Sequence, residues 1–250
     1  MFSVWVYTLL SVLLVSLISF VGVFTLSLDA RRLKAVLIYL IAFSAGALLG
    51  DAFIHLLPAV VKEQGFSLSV SLSILGGIVI FFILEKIIHW RHCHMPIDNK
   101  EHVHAFAYVN LFGDALHNFL DGIIIAASYL VNVHTGIATT LAVVLHEIPQ
   151  EIGDFGVLLH GGFTKGKALW LNFLTALTAV LGALITLFAV DSISGLQVWL
   201  VPVAAGGFIY IAGSDLIPEL HKDSKLWNSL AQLLAFVVGI AVMIALLYLE

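Results

Sequence analysis

Charge is what this sequence has least of. Lys, Arg, Asp and Glu make up 11% of its 250 residues, about half the share of an ordinary soluble domain. So little charge excludes a normally solvated globular surface, and no nucleic-acid partner is expected. Cysteine is scarcer still, with Cys93 alone, so no intramolecular disulfide framework exists to be sought. The opening stretch from Met1 to Gly22 lacks a basic leader and a clear small-x-small cleavage site. It therefore reads as a retained span rather than a removed signal peptide. No polar stretch is long enough for a soluble domain, and residues 1–250 read as a single transmembrane domain.

What is present is apolar. Hydrophobic residues account for 61% of the chain and the mean hydropathy is +1.07. One soluble core could not hide that much apolar surface, whereas lipid accepts it directly. A window of about 19 residues picks out eight spans at 4–27, 35–58, 68–89, 106–131, 136–160, 167–190, 197–219 and 227–249. Each is long enough to cross about 30 Å of hydrocarbon as a helix. The longest connection, 90–105, is polar and rich in histidine. Arg31, Arg32, Lys34, Lys86, Arg91, Lys100, Lys165, Lys167, Lys222 and Lys225 all fall on one side of this arrangement, and only Lys62 on the other. The positive-inside rule makes the first side cytoplasmic and places both termini outside.

Two spans resemble each other. AGALLGDAFIHLLP, from Ala45 to Pro58, lies without gaps over AGGFIYIAGSDLIP, from Ala205 to Pro218. His55 then falls on Asp215, and Pro58 on Pro218. The topology runs one outward and the other inward, which is the pattern of an inverted repeat. Small-residue faces also recur by chance in membrane helices. The repeat predicts an all-α membrane protein with eight transmembrane helices in a 3+2+3 arrangement, spans 1–3 and 6–8 flanking spans 4 and 5.

The chemistry sits in those middle spans. Span 4 carries Asp114, His117, Asn118 and Asp121; span 5 carries His146, Glu147, Gln150, Glu151 and Asp154. Ionisable groups deep in a membrane cost at least a few kcal/mol each and mark pathways or sites. His117 and Asp121 are four apart and share a helix face, as do His146 and Gln150; Glu147, Glu151 and Asp154 form the adjacent row. Counted from opposite membrane surfaces, His117 and His146 both reach a depth of about 15–17 Å, near the midplane. Pro149 leaves the carbonyl of Leu145 without its helical donor, and that carbonyl, or a water beside it, would be available to an ion. Imidazole and carboxylate suit Zn, Fe or Mn, and the lack of thiolates argues against a Cu(I) carrier. A purely structural hydrogen-bond network and a proton relay are the bland alternatives.

These residues resemble a known family. His117-Asn118-x-x-Asp121-Gly122 and His146-Glu147-x-Pro149-x-Glu151-x-Gly153-Asp154 are similar to the span 4 and span 5 signatures of the ZIP (ZRT/IRT-like) metal transporters, and the likeness covers essentially the whole chain. It implies carriage of Zn²⁺, and often Fe²⁺, Mn²⁺ or Cd²⁺, into the cytoplasm; the expected mechanism is alternating access, and the short loops favour a bacterial or archaeal plasma membrane. It further implies two adjacent metal sites, one of His117, Asp121, His146 and Gln150, the other of Asn118, Asp121, Glu147 and Glu151. Gln150 departs from the histidine or glutamate of relatives. Asn172 is a candidate extra ligand. His89, His92, His94, His102, His104, Glu219 and His221 are candidate exit ligands, and His55 with Asp215 lines the route or holds helices together. The expected partners are divalent ions and the bilayer, with a homodimer left open. A metal channel using the same ligands is the alternative. An intramembrane zinc protease is a remote one, because HEIPQ puts Gln150 where the second histidine of HExxH belongs. The chain is not expected to be an enzyme.

Overall fold

The computed structural model describes residues 2–25, 30–93, 100–192, 196–222 and 225–248, without the side chains of 24–25, 30–35, 87–93, 100–106, 109, 160, 191–192 and 197. Among the described residues every regular element is helical, in eight runs. Helix α1 is Phe2–Ile18, continued by Ser19–Val21 and Gly22–Thr25; α2 is Ala30–Gly50, Asp51–Leu56 and Leu57–Gln64; α3 is Leu68–Cys93 and α4 Lys100–Val131. Helix α5 is Val133–His160; α6 is Lys165–Ala176 and Thr178–Ser192; α7 is Leu196–Tyr210, Ile211–Leu216 and Ile217–Leu220; α8 is Leu226–Leu247. Six of them, α1, α2, α3, α6, α7 and α8, are long and apolar enough to cross a membrane. Helices α4 and α5, of 32 and 28 residues, are long enough, but their ligand-type side chains hold the mean hydropathy down. The fold is that of an all-α membrane protein.

The expected 90–105 loop is shorter than hydropathy implied. Helix α3 runs to Cys93 and α4 begins at Lys100. Hydropathy marks where the chain leaves the apolar slab, and a helix can continue beyond that point with its polar side chains in water. Of the expected histidine ligands there, His94 lies outside the described residues, as do the side chains of His89, His92, His102 and His104.

Helices α2 and α7 share a local departure from α-helix. Each opens into a π-turn, Asp51–Leu56 in one and Ile211–Leu216 in the other, at positions 160 apart throughout, the offset of the ungapped match read from the sequence. The closing bonds agree as well: Leu57 N–H reaches the carbonyl of Ala52, and Ile217 N–H that of Ala212. A proline follows at once in both, Pro58 and Pro218. In an α-helix a proline ring collides with the carbonyl four residues back, and a wider turn ahead of it relieves the collision. Proline alone does not dictate the turn, since Pro149 and Pro202 sit within ordinary α-helix.

The helices that flank these two cross their neighbours through glycine. A Cβ on Gly46 of α2 would lie 2.0 Å from the carbonyl oxygen of Phe236 in α8, and one on Gly239 of α8 would lie 2.2 Å from that of Phe43 in α2. The α7–α3 crossing repeats the arrangement: Gly206 meets Ile74 O at 2.1 Å, and Gly77 meets Val203 O at 2.1 Å. Only residues without side chains let backbones approach so closely. Helices α4 and α6 cross the same way at Gly122 and Gly182.

Two polar links tie α2 to α5. Thr139 donates to Asp51 Oδ2 at 2.8 Å. The Ser44 hydroxyl reaches the carbonyl of Leu145 at 2.5 Å and its own helix's Leu40 carbonyl at 2.7 Å. Leu145 is the residue whose carbonyl Pro149 strips of its helical donor. The freed acceptor therefore faces a hydroxyl of a neighbouring helix, whose one hydrogen is shared between this carbonyl and that of Leu40. Ser44→Ala should accordingly cost about 1–3 kcal/mol, the penalty of a buried acceptor left unmatched. A thermal melt in detergent measures it, and an unchanged midpoint would mean that the carbonyl does not depend on Ser44.

Candidate metal centre

The register of the site is set by a tight hairpin. Asn132 separates α4 from α5 in an extended conformation, and its side chain accepts from Thr135 N at 2.8 Å, capping α5. His117 lies fifteen residues before Asn132 and His146 fourteen after it. At about 1.5 Å per residue the two antiparallel arms are nearly equal, so the imidazoles arrive at one level.

There they meet. One ligand atom each from His117, Asp121, His146 and Glu147 lies within 4.8 Å of every other. His117 Nε2 is 3.2 Å from His146 Nε2, 3.4 Å from Glu147 Oε1 and 3.7 Å from Asp121 Oδ2. His146 Nε2 is 3.1 Å from Asp121 Oδ2 and 3.4 Å from Glu147 Oε1. Tetrahedral Zn²⁺ with arms of about 2.0–2.2 Å separates neighbouring ligand atoms by about 3.3–3.6 Å. The observed spacings bracket that range. Ring orientation also fits, because His146 Nδ1 faces the carbonyl of Ala142 at 3.2 Å. A proton on Nδ1 there leaves the Nε2 lone pair facing the cluster, the usual arrangement of a metal-bound histidine.

The carboxylates face only the two imidazoles. Both oxygens of Asp121 and both of Glu147 are buried without a hydrogen-bond partner, and both residues are 0% exposed. Buried carboxylates of this kind are costly unless paired with a proton or a cation. Only the His117 side chain has appreciable exposure, 18% against 0–1% for the other three. It borders a cavity of about 90 Å³ that Glu85, Tyr210 and Asp215 also line. The Tyr210 hydroxyl donates to Glu85. Hydropathy gave no reason to single out Glu85 or Tyr210, because they lie on two helices far apart in sequence and meet only through the α3–α7 contact.

The other sequence candidates form a second group beside the first. Asn118 Nδ2 donates to Asp114 Oδ1 at 2.8 Å and to the Asp114 carbonyl at 3.2 Å. Gln150 Nε2 reaches the same Asp114 Oδ1 at 3.4 Å. Asn110 Nδ2 donates to Asp154 Oδ1 at 2.7 Å, and Asn172 Nδ2 to Glu151 Oε2. Buried oxygens left over are Asp114 Oδ2, Asn118 Oδ1, Glu151 Oε1, Asp154 Oδ2 and Asn172 Oδ1. This group is all oxygen, whereas the first contains both imidazoles. Glu147 lies with the histidines, while Gln150 turns its amide nitrogen toward Asp114. His55 is buried against α8, its Nε2 3.0 Å from the Met243 carbonyl, while Asp215 lines the cavity.

A bundle of membrane-crossing helices enclosing two imidazoles and two fully buried carboxylates defines the class: a multi-pass membrane protein with a metal-ligand cluster between its helices. The family described as "ZIP Zinc transporter" matches residues 2–106 and 91–247, and the chain belongs to that family. It is 31% identical to zinc transporter zipt-7.2 of Caenorhabditis elegans over 96% of this chain and 64% of that protein. It is 38% identical to zinc transporter ZIP13 of Pongo abelii over 82% of this chain and 65% of that protein. Against zinc transporter SLC39A7 of Homo sapiens it is 28% identical, over 99% and 72%. The chain thus spans slightly less than two thirds of the first two relatives.

Proposed function

We propose that this chain carries a divalent transition metal across a membrane into the cytoplasm, with Zn²⁺ as the primary substrate and Fe²⁺, Mn²⁺ and Cd²⁺ as further candidates. The observation that carries the proposal is the cluster of His117, Asp121, His146 and Glu147, whose ligand atoms lie within 4.8 Å of one another and whose carboxylate oxygens face only the two imidazoles. Asn118, Gln150 and Glu151 supply the neighbouring, oxygen-only position, so the ion's route passes through two adjacent sites between α4 and α5. Residues 1–250 act as one transmembrane unit in a 3+2+3 arrangement, with both termini outside a plasma membrane. The recurring π-turn and the paired glycine crossings support the inverted repeat on which that arrangement rests.

Alternating access is favoured over a channel by the uneven exposure of the cluster. His117 alone borders the cavity, and the three ligands behind it are sealed. In the proposed orientation that cavity opens toward the cytoplasm past Glu85 and Asp215. The relatives are named as zinc transporters, and Gln150 in place of a second histidine removes the HExxH pattern of a zinc protease.

Initial uptake rates into proteoliposomes, across a panel of divalent ions, test the reading. Saturable uptake of Zn²⁺ is expected, and its absence for every ion would overturn the proposal. Protons compete with metal for imidazole and carboxylate. The apparent KM for Zn²⁺ should therefore rise as the external pH falls from about 7.5 to 5.5, by as much as about tenfold per pH unit for each proton displaced. A KM that does not change with pH would mean that metal binds without displacing protons.

A further inference from the structure

Asp114 is a buried carboxylate, 4% exposed, that the four-ligand cluster does not use. One of its oxygens receives an amide from each of the two helices that build the site: Asn118 Nδ2 from its own α4, at 2.8 Å, and Gln150 Nε2 from α5, at 3.4 Å. A primary amide is planar and carries its nitrogen and oxygen on the same carbon. Fixing the nitrogen on a carboxylate therefore aims the oxygen the other way. For Asn118 that oxygen is buried with no partner. Amides swing freely between donor-forward and acceptor-forward states, and only the acceptor-forward state can face a cation.

We propose that Asp114 is a positioning residue: by accepting both amide nitrogens it locks Asn118 and Gln150 with their carbonyl oxygens toward the metal route, and so makes the oxygen-only site a cation site. The inference rests on the transport reading above. It explains why a neutral glutamine works at position 150. Without Asp114 the same side chain could present N–H groups to an incoming cation and repel it. It also assigns the site a character, since carbonyl and carboxylate oxygens without imidazole suit harder ions such as Mn²⁺ better than the histidine cluster does. Asn172 acts in parallel from α6, donating to Glu151 Oε2 while Glu151 Oε1 stays without a partner.

The test is equilibrium binding of Zn²⁺ and Mn²⁺ to the purified full chain in detergent, alongside uptake in proteoliposomes, for Asp114→Asn, Asp114→Ala and His117→Ala. Asparagine keeps an acceptor oxygen at the Oδ1 position but removes the charge and the second oxygen; alanine removes the side-chain acceptor of both amides and leaves Asn118 only the backbone carbonyl of residue 114, 3.2 Å away. Expected for Asp114→Ala is a 10–100-fold loss of affinity for the second ion, the usual effect of deleting an outer partner. The first ion should still bind, and the Mn²⁺-to-Zn²⁺ uptake ratio should fall. Asp114→Asn should keep both ions within a few-fold of the parent. Equal losses in the two Asp114 variants would overturn the proposal, because that is the behaviour of a direct ligand or a required charge. Unchanged second-ion binding in Asp114→Ala, or only one ion bound by the parent chain, would overturn it as well. His117→Ala separates this from the larger claim: if it leaves uptake intact, the transport reading fails whatever Asp114 does.

Discussion

Asp121→Ala should abolish saturable Zn²⁺ uptake, lowering the initial rate by about a hundredfold or more, since loss of even an outer partner of a metal ligand costs 10–100-fold. Asp121 is the carboxylate that reaches both imidazoles, with Oδ2 3.1 Å from His146 Nε2 and 3.7 Å from His117 Nε2. Without it, one carboxylate, Glu147, is left to compensate a divalent ion in a region where Asp121 and Glu147 are 0% exposed. Asp121→Asn separates shape from charge. It is nearly isosteric, so the helix hairpin should form normally, yet the site loses one negative charge and uptake should fall almost as far. The metal-free Asp121→Asn variant should melt close to the parent, because it keeps an oxygen within reach of His146 Nε2, 3.1 Å away in the parent, while one fewer carboxylate is buried. A variant that both melts early and transports poorly would point to a structural role for Asp121. Full uptake by either variant would remove Asp121 from the metal route.

That prediction rests on residues visible in the sequence before any coordinates. Seven candidates, His117, Asn118, Asp121, His146, Glu147, Gln150 and Glu151, were legible because charge is so rare elsewhere in the chain and because helical periodicity is a strict rule in lipid, where the backbone must satisfy itself. That His117 and His146 share a level was legible too, from their similar distances into oppositely running spans, and the nearly equal arms on either side of Asn132 agree. Their grouping was not. Side chains on adjacent rows of a helix differ by about 100°, and a small rotation decides whether Glu147 or Gln150 faces the histidines. Glu147 faces them, and Gln150 turns to Asp114. The fate of the Leu145 carbonyl was equally hidden. Pro149 shows that a donor is missing, but nothing local shows that Ser44, a hundred residues away, supplies it. Nor could hydropathy find the Glu85–Tyr210 contact, which depends on how α3 and α7 cross. The repeat lies between these cases: an ungapped match at 160 residues aligned the two π-turns residue for residue, although no residue pattern announced a π-turn at all.

The second large effect is expected from adjacent glycines. Gly76→Ala and Gly77→Ala are the same chemical change one residue apart on α3, and they should act in opposite directions. A Cβ at Gly76 meets nothing within 4 Å, so the substitution should be neutral or should stabilise by up to about 1 kcal/mol through helix propensity. A Cβ at Gly77 would lie 2.1 Å from the carbonyl oxygen of Val203 and 3.1 Å from the Cα of Gly206. Backbone atoms cannot swing aside as the end of a side chain can, so α3 and α7 must separate. Overfilled contacts of this kind cost about 1–3 kcal/mol or more, and a melt in detergent should show Gly77→Ala well below both the parent and Gly76→Ala. Gly239→Ala should behave like Gly77→Ala, since it meets the carbonyl oxygen of Phe43 at 2.2 Å across the corresponding α8–α2 crossing. Function discriminates between the two. The α3–α7 crossing carries Glu85 and Tyr210 on the wall of the cavity beside His117, so Gly77→Ala should impair uptake beyond what its lost stability explains. Gly239→Ala, acting on the crossing without those groups, should reduce uptake only as far as it reduces the folded fraction. If both variants lose uptake in proportion to stability, the cavity beside His117 has no part in moving the ion.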